Sequence, residues 1–212
     1  MNHLDDLPSG SFSPCRVDYR DGAAVQQLSH QLVRRLQHKA DDQEIVVICI
    51  GTDRSTGDSL GPLVGSKLQA YHPKHLHVYG TLEDPIHAVN LADKLRLIEQ
   101  SHPHRLTIAV DACLGQYNHV GSINLADGPL KPGAGVKKEL PAVGSFHITG
   151  IVNVGGFMEY FVLQNTRLFV VMQMAEVIAK ACMLASLVSA KELSEIPDAA
   201  SLDQPAIKQQ GL

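Results

Sequence analysis

The sequence predicts a three-layer α/β/α sandwich with a mostly parallel sheet. Three observations predict it. Short apolar runs alternate with longer stretches of helical periodicity. The run Ile45-Val46-Val47-Ile48-Cys49-Ile50 is apolar at every position, as a strand covered on both faces must be. A polar, glycine-rich segment, Gly51 to Gly61, follows it directly, and ligands of open α/β sheets gather outside the carboxyl ends of the strands.

Taken in order, residues 1–21 are polar and turn-rich and read as a flexible leader. Ala23 to Lys39 carries Val25, Leu28, Leu32, Val33 and Leu36 at helical spacing, giving one apolar stripe to pack on the sheet. Pro62 suits the first turn of a helix running to about Tyr71. His75-Leu76-His77-Val78-Tyr79 alternates as a second strand, and Ile86 to Gln100 has helical spacing. Leu106 to Val110 is a third strand ended by Asp111, and Gly121 to Leu125 a short fourth. Asp127 to Val143, rich in Gly, Pro and Lys, is expected to be a long loop. Ile148 to Asn165 is expected to be a helix bent at Gly155-Gly156, with His147 on the loop before it. Arg167 to Met172 is expected to be a fifth strand, and Met174 to Leu193 a closing helix. A single domain over 22–194 and a flexible tail over 195–212 complete the expected organisation.

Composition narrows the function. The 212 residues carry a formal net charge of −4, so no basic footprint for nucleic acid is expected. No uninterrupted run of ~18 apolar residues marks a membrane span. Met1-Asn2-His3-Leu4-Asp5-Asp6 lacks the basic and apolar regions of a signal peptide, which places the chain in the cytoplasm by expectation. The cysteines, Cys15, Cys49, Cys113 and Cys182, form no Cys-x-x-Cys, and Cys49 and Cys182 sit in apolar runs as reduced core thiols. Cys113, two residues past Asp111, is the cysteine nearest the candidate chemistry.

That chemistry rests on Asp58, Asp111 and His147. A parallel sheet would gather all three at one rim, and two carboxylates with an imidazole can transfer protons or hold a metal ion. Each has a plainer role open to it: Asp58 as a helix cap, Asp111 as a turn former, His147 as a hydrogen-bonded loop residue. The glycine-rich segment lacks both Gly-Lys-Ser/Thr and Gly-x-Gly-x-x-Gly, and its Asp53 and Asp58 would repel phosphate, so no nucleotide is expected.

Gly51-Thr52-Asp53-Arg54-Ser55-Thr56-Gly57-Asp58-Ser59-Leu60-Gly61-Pro62, followed by Val110-Asp111-Ala112-Cys113-Leu114-Gly115, resembles the YyaC-type sporulation proteins, over about Ile45 to Leu187. That group is similar to the spore germination proteases and the hydrogenase maturation endopeptidases, which share the phosphorylase/hydrolase-like α/β fold. Thr56 to Pro62 and Val110-Asp111-Ala112 resemble the germination-protease segments whose aspartates are functional. Lys131-Pro132-Gly133-Ala134-Gly135-Val136 is similar to that family's Pro-Gly-Ser-Gly-Val loop. Ser145-Phe146-His147-Ile148-Thr149-Gly150-Ile151 resembles the endopeptidase segment whose histidine joins two acidic residues at a metal. There a glutamate stands where this chain has Asp58.

The resemblance implies an endopeptidase of sporulation or germination, in the forespore or spore, with small acid-soluble spore proteins as substrates. Asp58 and Asp111 would be the catalytic acids. Two versions of the chemistry stand open: the two acids share a proton, or Asp58, Asp111 and His147 hold a divalent ion, zinc, manganese or nickel, for which Asp53 is an additional candidate ligand. The alternative expectation is a non-catalytic spore protein that binds a peptide or protein partner. Homo-oligomerisation is left open.

Overall fold

The computed structural model describes residues 12–132 and 140–194. Six strands form one sheet: β1 (Cys15–Asp18), β2 (Glu44–Cys49), β3 (His77–Tyr79), β4 (Arg105–Gly115), β5 (Ser122–Asp127) and β6 (Phe146–Val154). Their order is β1-β5-β6-β4-β2-β3. β6, β4, β2 and β3 run parallel to their neighbours, while β5 is antiparallel to both β6 and β1. Five helices complete the chain: α1 (Ala24–Leu36), α2 (Leu60–Ala70), α3 (Leu91–Ser101), α4 (Glu159–Gln164) and α5 (Leu168–Ser194).

Strand alternation assigns the two faces of the sheet. Val47, Cys49, Ile108, Val110, Ile123 and Ile148 pack against Leu28 and Leu32 of α1, Leu60 and Val64 of α2, and Met174 and Ile178 of α5. Val46, Ile48, Ile50 and Ala109 meet Leu91 and Ile98 of α3, together with Ile86, Leu130 and Val143. The expected three-layer sandwich is therefore present.

Two expected elements exchange identity. Ile148 to Asn165 is not a bent helix: its first part is β6 and only Glu159–Gln164 is helical. Phe146, Ile148 and Val152 face one core on alternate positions. The segment is rich in β-branched residues, which favour a pleated surface. Gly155-Gly156 follows the end of this strand. Arg167 to Met172 is not a strand but the first turns of α5. An apolar run that short fits either state by pattern alone, and length arbitrates; here the apolar character continues through a 27-residue helix.

Leu168–Ser189 of α5 is long and apolar enough to cross a membrane by length and composition, yet 56% of that window is buried inside the protein. Its apolarity is spent against α1 and α2. The stretch read as a leader contains β1, an edge strand paired with β5. Residues 1–11, the Gly133 to Val136 portion of the Pro-Gly loop, and the expected tail over 195–212 lie outside the described residues.

Candidate functional site

The connection β2-α2-β3 runs to one side of β2, and β3-α3-β4 returns to the other. The chain thus reverses its strand order between β2 and β4, where open α/β sheets form a crevice at the carboxyl ends. Asp58 and Asp111 flank that point.

Asp58 lies in a single 3-10 turn, Gly57–Ser59, that runs directly into α2. Tight backbone packing fixes this turn. The Thr52 N–H donates to the Asp58 carbonyl at 3.1 Å. Gly51 has φ +144°, and a Cβ on it would stand 2.0 Å from the same carbonyl oxygen. A Cβ on Gly61 would stand 2.1 Å from the Ile50 carbonyl. The glycines of this motif bring a loop against a strand end, and only glycine permits that approach. No side-chain hydrogen bond caps either the 3-10 turn or α2. The carboxylate of Asp58 is therefore not occupied as a helix cap.

Asp111 does not end its strand, because β4 continues to Gly115. The strand outruns β2, whose last paired residue, Cys49, lies opposite Val110. His147 likewise is not on a loop before a helix; it is the second residue of β6. Registered partners in parallel strands point to the same face, and Ala109 pairs with His147 while Asp111 pairs with Thr149. Asp111, Thr149 and His147 therefore share the face opposite the α1, α2 and α5 layer. Asn124 of β5 lies opposite Thr149 and accepts from Arg16 Nε at 2.8 Å. Arg16, Asn124, Thr149 and Asp111 make one polar row across four strands.

Asp111 sits deep in the protein mass yet keeps some accessible surface. Burial pushes its carboxyl pKa up to about 8; the Ala112 N–H, donating to Oδ1 at 2.8 Å, opposes this, and the negative charge of Asp58 adds to it. Burial also raises Asp58. The Ser55 hydroxyl opposes that shift from a position short of hydrogen-bond geometry, being itself buried without a hydrogen-bond partner. Burial raises the Cys113 thiol, Thr149 opposes it by hydrogen bonding, and Asp111 raises it further. Cys113 thus stays a neutral thiol rather than a thiolate nucleophile.

His147 Nδ1 donates to the Gly128 carbonyl at 2.9 Å, leaving Nε2 as the acceptor of the neutral ring. It stands one pleat before Asp111, about 6.6 Å along the strand direction. The donors of Asp58, Asp111 and His147 do not make a three-ligand group. Among the described residues the group whose donor atoms lie within 4.8 Å of one another is Glu44, His77 and His102. Asp53 is exposed on the loop. Glu44, His77 and His102 lie at the opposite end of the strands and had no local signal in the sequence, since Glu44 and His102 are 58 positions apart.

Residues 16–181 match the model of a family described as "Protein of unknown function (DUF1256)". The chain is 60% identical over 164 residues to the "Uncharacterized protein YyaC" of Bacillus subtilis (strain 168), covering 77% of this chain and 80% of that protein. The crystal structure of a NiFe hydrogenase maturation protease, HycI from Thermococcus kodakarensis KOD1, is similar at a TM-score of 0.43. That match has 16% identity and covers 76% of this chain and 97% of that one; a likeness at this level identifies neither an activity nor a site. Both the span of the family match and the closeness of the Bacillus protein place the chain in the DUF1256 family, as a YyaC-type protein.

Proposed function

We propose that the chain is a peptide-bond hydrolase in which Asp58 and Asp111 act as an acid–base pair on a protein or peptide substrate. The observation that carries the reading is the raised Asp111 carboxyl, coupled to the negative charge of Asp58, at the reversal of strand order. Two carboxyls whose surroundings separate their proton affinities divide the work of hydrolysis between them. Asp111 keeps its proton at neutral pH and serves as the acid, with Asp58 ionised as the base.

The cycle then runs in balanced steps. The Asp58 carboxylate takes a proton from water as its oxygen attacks the scissile carbonyl carbon. Asp111 gives its proton to the leaving nitrogen as the C–N bond breaks. A proton passes from Asp58 back to Asp111 before the next turnover. The pair titrates as a unit, so the pH profile reports the pair rather than either residue. Thr149, opposite Asp111, is placed to orient the substrate carbonyl.

The donor chemistry of Asp58, Asp111 and His147 would suit a divalent ion, in keeping with the endopeptidase resemblance. The three donors do not form a ligand group in this structure. A site in the forespore or spore cytoplasm, with small acid-soluble spore proteins as substrates, follows from the resemblance to germination proteases.

A cleavage assay with the purified chain and such proteins tests the reading. Asp58→Asn and Asp111→Asn are expected to abolish cleavage with circular dichroism unchanged. Undiminished proteolysis in both variants would remove the pair from the mechanism.

A second reading, a non-catalytic partner-binding protein, is favoured by Phe157, Met158, Tyr160 and Phe161. All four are exposed on and beside α4, which packs against the 3-10 turn of Asp58. Capture of an intact partner, insensitive to both aspartate substitutions and accompanied by no cleavage, would select it.

A further inference from the structure

We infer that Glu44, His77 and His102 form a binding site for a divalent transition-metal ion, with zinc the best fit, at the amino-terminal end of the parallel strands. This inference is independent of the proposed hydrolase chemistry.

The fold builds the site from three elements. Glu44 is the first residue of β2 and His77 the first of β3. Val46 is the registered partner of His77. Glu44, Val46 and His77 therefore lie on one face of the sheet, the face covered by α3. His102 is the C-cap of α3, and its N–H still donates to the Ile98 carbonyl. The end of the helix thus delivers the His102 ring between the two strand starts. The partial negative charge at a helix C-terminus favours a cation there.

The donor geometry is that of a ligand set. Glu44 Oε2 lies 2.7 Å from His102 Nδ1, and Oε1 lies 3.2 Å from His77 Nε2. The two imidazole rings are 4.2 Å apart between centroids. Metal–ligand bonds of 2.0–2.1 Å in a tetrahedral site separate the ligands by about 3.3 Å. The existing spacings are close to that, and Glu44 and His77 are exposed enough to adjust.

A second polar contact supports the reading. His102 is buried, with 8% of its side chain exposed, and its Nε2 lies 2.8 Å from the Tyr79 hydroxyl. Metal-bound histidines almost always donate their other ring N–H to an oxygen, which fixes the tautomer. With an ion on Nδ1, the ring proton resides on Nε2 and the Tyr79 oxygen accepts it. The neighbouring guanidinium does not compete for the carboxylate, because Arg105 donates to the His102 carbonyl at 3.0 Å and to Glu99 at 2.8 Å.

Glu44 and His77 also border a cavity of about 200 Å³, whose lining includes Lys39, His75, Ser186 and Ser189 but not His102. Three protein donors leave a fourth coordination position for water or a further ligand. One carboxylate and two imidazoles suit zinc, with nickel and copper as chemically adjacent competitors, and disfavour magnesium and calcium.

The test is titration of the untagged, chelator-treated full chain with Co²⁺ alone, read by its visible d–d absorption and followed by displacement with Zn²⁺. One equivalent of Co²⁺ with tetrahedral-type bands is expected. His77→Ala and Glu44→Gln are expected to weaken binding by more than about 100-fold, and Tyr79→Phe by about 10-fold. Asp58→Asn and His147→Ala are expected to leave it unchanged. Absence of stoichiometric binding would overturn the inference, as would bands that survive His77→Ala or that vanish in Asp58→Asn or His147→Ala instead. The half-exposed position of His77 keeps that variant folded, and Tyr79→Phe removes only a hydroxyl.

Discussion

The two ends of the parallel strands carry opposite kinds of polar chemistry. At the carboxyl end, Asp58 and Asp111 are like groups, and burial raises both carboxyls, Asp111 to about 8. At the amino end, Glu44 is pulled to a lower pKa by its hydrogen bond to His102 and by His77. One end sets two acids of unequal proton affinity against each other, which makes an acid–base pair. The other has an acid among imidazoles, which makes a ligand set. β2 contributes to both, with Glu44 at its start and Asp58 beyond its end. Its six residues span about 20 Å. Substitutions so far apart act independently, so each end can be broken without disturbing the other.

The largest expected effect is at the acid pair. Asp58→Asn or Asp111→Asn should lower kcat/KM for cleavage by about 10²–10⁴-fold, the usual worth of a positioned acid or base. Neither should move Co²⁺ affinity. The same pair gives the pH profile a sign. Activity should fall in acid as Asp58 takes up a proton, and fall again on the alkaline side near pH 8 as Asp111 loses its own. An alkaline limb unchanged by Asp58→Glu, which keeps the base but retunes the pair, would detach activity from it.

Next in size is the backbone that holds Asp58. Gly61→Ala places a Cβ against the Ile50 carbonyl and must push α2 away from β2. Overpacking of this kind costs about 1–3 kcal/mol, measurable by urea denaturation. Gly128→Ala is a useful contrast: a Cβ there meets nothing within 4 Å, and only its φ of +84° is penalised. Equal losses in the two variants would mean that loop-to-strand contact is not what seats the turn.

A further effect concerns stability against pH. Folded Asp111 keeps its proton to about pH 8, whereas an unperturbed aspartate releases it near 3.8. The folded state therefore binds more protons through that window, and Asp111 erodes stability as pH rises through it. Asp111→Asn removes the erosion. The Tm gap between variant and parent should widen from pH 5 to pH 8 by on the order of 10 °C, the equivalent of roughly 3–4 kcal/mol for a chain this size. A gap that stays flat would deny the enclosed proton.

The contrast between the two ends also explains what the sequence could disclose. The layered architecture was legible because strand-length apolar runs and helical stripes alternate along most of the chain. The positions of Asp58 and Asp111 toward the carboxyl ends of β2 and β4 were legible because each adjoins a strand that announces itself, Ile45 to Ile50 and Leu106 to Val110. β6 and the start of α5 were misread for one reason: a short apolar run fits strand or buried helix until its neighbours are known. β1 was hidden because it is four residues long and polar on one face, with Arg16 meeting Asn124 across the sheet. Glu44, His77 and His102 were illegible for a different cause. They are brought together by strand register and the end of α3, and no pattern in a linear sequence encodes that meeting.

The most direct measurement is a carboxyl-carbon NMR titration of Asp111 in the parent chain and in Asp58→Asn. The account expects a midpoint near 8 in the parent and a lower one in the variant, where the neighbouring negative charge is gone. A midpoint in the ordinary range near 4, or one indifferent to Asp58, would contradict the coupled pair and the division of labour built on it.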